Sequence, residues 1–197
     1  MRIALIGPAQ DAVAELEQAL EMLLQDEGFS QIIYLGQDGA AARTIEGWAR
    51  DRVDPDRFLD RAAELACIGS GREIDDLLEQ ERAARRWAVV RQLPPSPARA
   101  IEMLDTWVVV AVFDKSVLDE DDIASAHIFV YGQAQQPDFK RFGPRAFFTP
   151  GPLSAGGLGV LDAMADGSLE VQLIDLEGKT LSRETLRARS ANVVVAT

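Results

Sequence analysis

A chain of 197 residues, 47% of them apolar, can bury one sizeable core but is short for two ordinary domains, so a single domain over 1–197 is expected. A formal net charge of −12 opposes contact with nucleic-acid phosphates or an anionic membrane surface, which sets both partner classes aside. No apolar run approaches the roughly 18 residues a membrane helix needs; the longest, 107–113, has strand length.

The chain opens on a strand-like run at 2–6, with no signal-type segment, which makes the cytoplasm the expected location. Gly7-Pro8 ends the strand. Val13, Leu16, Leu20, Leu23 and Leu24 recur at helical spacing, so a helix is predicted over 11–27, with six acidic side chains and no basic one. Gly28 ends it, and 31–35 reads as the next strand. Strand, helix, strand implies a βαβ unit and a parallel sheet. Helices are predicted over 40–49 and 55–64, the second with Asp54 as N-cap and Pro55 in its first turn. The run 65–68 reads as a third strand, which would bury the lone Cys67 as a small hydrophobe; one cysteine makes neither an internal disulfide nor a thiolate metal site. A long helix is predicted over 72–90, stopped by Pro94-Pro95-Ser96-Pro97.

The pattern then changes to strands. The runs 99–104 and 107–113 flank Asp105-Thr106 as a hairpin. Further strands are predicted at 127–131, 146–149, 159–163, 169–175 and 184–195, with turns at Asp166-Gly167 and Glu177-Gly178.

Six loops in this order resemble those of the calcineurin-like metallophosphoesterases, in particular the small bacterial phosphodiesterases of that family. The resemblance spans nearly the whole chain. It implies an α/β fold, a four-layer α/β/β/α sandwich with two mixed sheets, in preference to a single open sheet. It also implies loops at the strand C-termini that hold two metal ions, which activate water and stabilise charge on a phosphoryl group. Where the family carries Asp-x-His after the first strand, this chain has Pro8, Ala9 and Gln10. The bridging Gly-Asp corresponds to Gly36-Gln37, and Gly-Asn-x-Asp to Gly69-Ser70-Gly71-Arg72. His-Gly corresponds to Phe113-Asp114-Lys115, with Lys115 on a ligand position. Gly-His-Thr-His-x-Pro corresponds to Gly132-Gln133-Ala134-Gln135-Gln136-Pro137, and Asn-Pro-Gly-Ser to Thr149-Pro150-Gly151-Pro152.

The loop formers are kept and the ligands are not. Neutral amides do not offset the repulsion between two divalent cations, and Pro8 and Phe113 offer no side-chain donor. The resemblance therefore implies a degenerate pocket of Pro8, Gln10, Gln37, Ser70, Arg72, Phe113, Lys115, Gln133, Gln135 and Thr149, with no catalytic residue, no metal and no cofactor. The only histidine, His127, stands apart from any cluster and reads as structural. Two other readings stay open. Asp11, Asp38, Asp114 and Asp138 lie beside the old ligand positions and would rebuild at most one weak Mg²⁺ or Ca²⁺ site for an atypical phosphoesterase. The polar pocket would otherwise serve as a metal-free sensor of a small neutral ligand.

The expected function is thus a non-enzymatic, regulatory scaffold that binds a protein partner or itself. Its candidate surfaces are the acidic helix 11–27, the basic cluster Arg82, Arg85, Arg86 and Arg91, and the run Asp119-Glu120-Asp121-Asp122.

Overall fold

The computed structural model describes residues 1–52 and 55–187. Eleven strands and five helices are described, and the strands form two sheets. The opening unit is β1 (Arg2–Ile6), α1 (Val13–Gln25) and β2 (Phe29–Tyr34), with β2 parallel to β1. Three helices follow: α2 (Ala40–Arg52), α3 (Pro55–Ile68) and α4 (Gly71–Trp87). They lead into β3 (Val90–Gln92), which pairs parallel with β2. The chain then forms β4 (Ala100–Leu104), β5 (Trp107–Val112), α5 (Glu120–Ser125), β6 (Ile128–Tyr131), β7 (Asp138–Phe142) and β8 (Arg145–Thr149). It returns to the first sheet through β9 (Leu158–Ala163), β10 (Ser168–Ile174) and β11 (Thr180–Arg187).

The first sheet runs β11-β10-β9-β1-β2-β3 and the second β4-β5-β6-β8-β7, both mixed. Alternation along each strand decides the layers. Ile3, Leu5 and Ile33 of the first sheet meet Val109, Ala111, Ile128, Val130 and Phe148 of the second in one core between the sheets. Ala4, Ile6, Ile32 and Tyr34 point the other way, onto Leu16, Ala19, Leu20 and Leu23 of α1. The outer face of the second sheet is covered by a thinner layer, in which Val117, Leu118 and Ala126, on either side of the six-residue helix α5, pack with Val110, Val112, Phe129 and Tyr131.

The expected α/β architecture of two mixed sheets with helices outside is present, and the single open sheet is excluded. Several local expectations are corrected. The run 65–68 is the last turn of α3, and Cys67 is exposed. A short apolar run does not distinguish strand from helix, and Ala66 and Leu65 are strong helix formers. The third strand instead comes at Val90, where α4 has already ended at Trp87. The acidic stretch before His127 holds α5, started by a capping box in which Asp119 and Asp122 each accept the other's backbone N–H. The edge strand β7 was hidden by its polar residues. The last strand lies earlier than expected, at Thr180–Arg187; its expected continuation to Val195, and Asp54 as an N-cap, fall outside the described residues. Among the described residues, no helix is long and apolar enough to cross a membrane.

Candidate functional site

The C-terminal ends of β1, β2, β5, β6 and β8 open on the same side, where parallel strands present their loops. Two glycines let those loops close up. A Cβ on Gly132 would stand 2.3 Å from the Leu35 carbonyl oxygen, and one on Gly7 would stand 1.7 Å from that of Gly151. The first contact joins the ends of the two sheets, and the second joins the first loop to the last. The Leu153 N–H also donates to the Pro8 carbonyl at 3.0 Å.

Between these loops lies a cleft of about 720 Å³. Pro8, Gln10, Gln37 and Phe113 line it, with Lys115, Gln133 and Gln135. Asp38, Asp114, Gly132 and Ala134 complete the lining. Three residues assigned to the pocket from sequence are elsewhere. Ser70 and Arg72 sit at the turn between α3 and α4, far in the chain from any strand end. Ser70 caps α4 there: its hydroxyl and its N–H donate to Glu73 at 2.7 and 2.8 Å, and the Glu73 N–H returns to Ser70 Oγ. These bonds hold the Glu73 carboxyl below the usual carboxylate range. The capping signature Ser-x-x-Glu was readable in the sequence and competes with any glycine-loop reading. Thr149 is fully buried, and its hydroxyl accepts from the Gly151 N–H at 3.1 Å, shaping the last loop from behind. The loop that follows β3 comes up to the cleft rim, where Gln37 Nε2 donates to the Pro94 carbonyl at 3.3 Å.

The acids near the cleft are engaged in the loops themselves. Asp38 accepts from the buried Tyr34 hydroxyl at 2.8 Å and from the Ala40 N–H at 3.0 Å, at the start of α2. Tyr34 in turn accepts from the Ala9 N–H at 2.8 Å. Burial raises the Tyr34 phenol well above its ordinary value, with the Asp38 carboxylate adding to the effect. Asp114 accepts from the Ser116 N–H at 2.9 Å, which holds its carboxyl low. Asp138 pairs with Lys140 at 2.8 Å. Lys115 holds its ammonium 5.0 Å from the centre of the Tyr131 ring. His127 accepts the Val108 N–H on Nδ1 at 3.0 Å and meets Trp107 edge-on, so it extends the sheet rather than serving the cleft.

The resemblance drawn from the sequence implies two divalent ions at this position. Among the described residues, no three His, Cys, Asp or Glu side chains form a group that could hold a metal ion. The cleft presents glutamine amides, an apolar ring, an ammonium and the two carboxylates of Asp38 and Asp114, which are held by Tyr34 and Ser116, a donor set that does not fit such a pair.

Of the surfaces read from sequence, the acidic run 119–122 is structural at two positions, since Arg99 pairs with both Asp119 and Asp122. Arg86 donates to the Asp26 carbonyl at 2.8 Å, tying α4 to the end of α1, while Arg82 and Arg91 are exposed. The Arg85 side chain lies outside the described residues.

No family model matches the chain, and no curated protein matches it in sequence. Its fold does match solved structures. A conserved protein of Streptococcus pneumoniae, described as a predicted phosphoesterase, superposes with a TM-score of 0.54 at 10% identity, over 95% of this chain and 97% of that one. Vacuolar protein sorting 29 of Cryptosporidium parvum gives 0.55 at 11% identity, over 95% and 98%. An archaeal phosphodiesterase gives 0.52 at 14% identity, over 88% and 100%. Together with the two packed mixed sheets and the cleft at their strand ends, these likenesses establish that the chain has a metallophosphoesterase-like fold.

Proposed function

We propose that this chain is a catalytically silent, cytoplasmic protein of the metallophosphoesterase-like fold that acts as a regulatory scaffold through its surface. The fold is shared by proteins named for phosphodiester chemistry and by one named for vacuolar sorting, so it does not choose between enzyme and binding protein. The observation that carries the choice is the chemistry of the cleft. Pro8, Gln37, Phe113, Gln133 and Gln135 stand where the loops converge, and the two nearby acids are spent on Tyr34 and Ser116. Protein loaded with Mn²⁺ or Zn²⁺ is expected to leave bis-p-nitrophenyl phosphate intact. Turnover above a heat-treated control, abolished by EDTA, would overturn the reading and favour an atypical phosphoesterase using Asp38 and Asp114.

A second reading rests on Gln10, which lines the cleft and holds a positive φ of 52°. With Gln133 and Gln135 it presents exposed amides that both donate and accept. Such a set suits a neutral, hydroxyl-bearing ligand better than a phosphate, which only accepts. Thermal shifts with methyl glycosides and with nucleotides separate the two: stabilisation by glycoside alone, lost in Gln133→Ala, supports a metal-free sensor.

A further inference from the structure

Among the described residues, the two sheets have four edges, at β11, β3, β4 and β7. Exposed edges invite pairing with another chain, and proteins guard them with charge or shortness. Three are guarded. β7 carries Lys140 and Arg141, β11 carries Arg183, Glu184 and Arg187, and β3 has only three residues, with Arg91 at its centre. β4 is not. Its two outward side chains are Ile101 and Met103, 60% and 54% exposed.

The backbone of the same two residues is unpaired. β4 and β5 join through the two-residue turn Asp105-Thr106, with Leu104 opposite Trp107 and Asp105 at a φ of 58°. A two-residue turn makes its flanking residues a hydrogen-bonded pair, and the antiparallel ladder then alternates. Leu104, Glu102 and Ala100 therefore point their amides at β5, while Ile101 and Met103 point theirs to the free edge. Among the described residues, no other backbone group meets them.

The one charged side chain of β4 faces the sandwich. Glu102 accepts from Gln31 Nε2 at 3.0 Å, and beside it Gln31 Oε1 is a buried acceptor without a partner. Asp105 is exposed at the turn below. An added strand would set one face beside Ile101 and Met103 and the other beside Glu102.

We propose that the β4 edge is a strand-addition site for an extended partner segment that alternates aliphatic residues with lysine or arginine. The aliphatic side chains cover Ile101 and Met103. The cations meet Glu102, supply a donor next to Gln31, and are drawn by the net charge of −12. A second copy fits less well, because it would bring two such charges together and set Glu102 near its own equivalent. The proposal rests on the scaffold reading and names the partner chemistry for it.

The test is fluorescence anisotropy of the full chain with a labelled peptide alternating valine and lysine. It is run at physiological salt, where loose charge attraction is screened. The same peptide N-methylated at alternate positions keeps the charge and loses the ladder donors. Binding is expected to weaken by at least about tenfold for the methylated peptide and for the Ile101→Lys, Met103→Lys double variant, whose exposed positions leave the fold intact. Amide exchange at Ile101 and Met103 should slow when the unmodified peptide is added. Equal binding of the methylated peptide, no binding, protection at β7 or β11 instead, or dimers that vanish in the double variant would each overturn the proposal. The phosphodiesterase assay reads separately: turnover there removes the scaffold reading without touching the peptide result, and failed strand addition leaves that assay unchanged.

Discussion

The Tyr34 hydroxyl donates to the Asp38 carboxylate at 2.8 Å while accepting from the Ala9 N–H, so one buried phenol joins the first two loops of the cleft. Removing it in Tyr34→Phe leaves the buried Ala9 donor unpaired, at a cost of about 1–3 kcal/mol in urea unfolding. The pH dependence has a definite sign. The folded phenol is held above its unfolded value of about 10, so the native state keeps a proton that the unfolded chain releases. That stability is complete below the unfolded value and declines as pH rises through the folded one. The gap between the wild type and Tyr34→Phe is therefore expected to be constant at neutral pH and to narrow in alkali.

Gly132 and Gly7 are space-limited rather than turn-forming. Gly132→Ala would drive a Cβ against the Leu35 backbone, and Gly7→Ala against that of Gly151. Each is expected to destabilise by about 1–3 kcal/mol through backbone displacement. Gly47 in α2 is the control, with nothing within 4 Å of its added Cβ. Gly47→Ala should stabilise by roughly 0.5–1 kcal/mol, the ordinary helix gain. Thermal melts of the three variants check the contrast, and equal behaviour would refute the close approach of the sheets.

Ser70→Ala tests the reassignment of the third loop. As a cap it should cost about 1 kcal/mol and disturb amide resonances only around α3 and α4. Shifts in Gln133 and Gln135 would return Ser70 to the cleft.

Divalent ions provide a fourth check. A ligand at 100 times its Kd stabilises by about 2.7 kcal/mol. Saturating Mn²⁺, Zn²⁺ or Mg²⁺ is expected to leave the melting temperature unmoved. A rise reversed by EDTA and absent in Asp38→Asn would mean that Asp38 leaves Tyr34 for a metal.

Much of the order of elements was legible because side-chain period reports burial. Leu16, Leu20 and Leu23 repeat at helical spacing since α1 has one side to bury, and the unbroken run 107–112 reads as a strand since β5 is covered on both faces. Gly7, Gly132 and Gly151 marked loop positions whose backbones must pass close, and Gly36 one that lies against the Tyr34 ring, so these loops could be placed by chain order alone. Where local signals were weak or shared, the reading slipped. Residues 65–68 are apolar in either conformation, and β7 spends its alternation on charge because it is an edge.

By itself the sequence determined the class of fold, the buried face of α1 and the chain order of most of the loops that open on the cleft. Only the tertiary structure decided which residues share the cleft. Convergence depends on strand ends that are distant in the chain, and so Ser70 and Arg72 leave the pocket while Asp38 and Asp114 enter it. It alone also decided which edge stays open. Ile101 and Met103 look like ordinary strand residues until β4 is seen to have, among the described residues, a neighbour on one side only, because edge or centre is a property of strand order and not of local spacing.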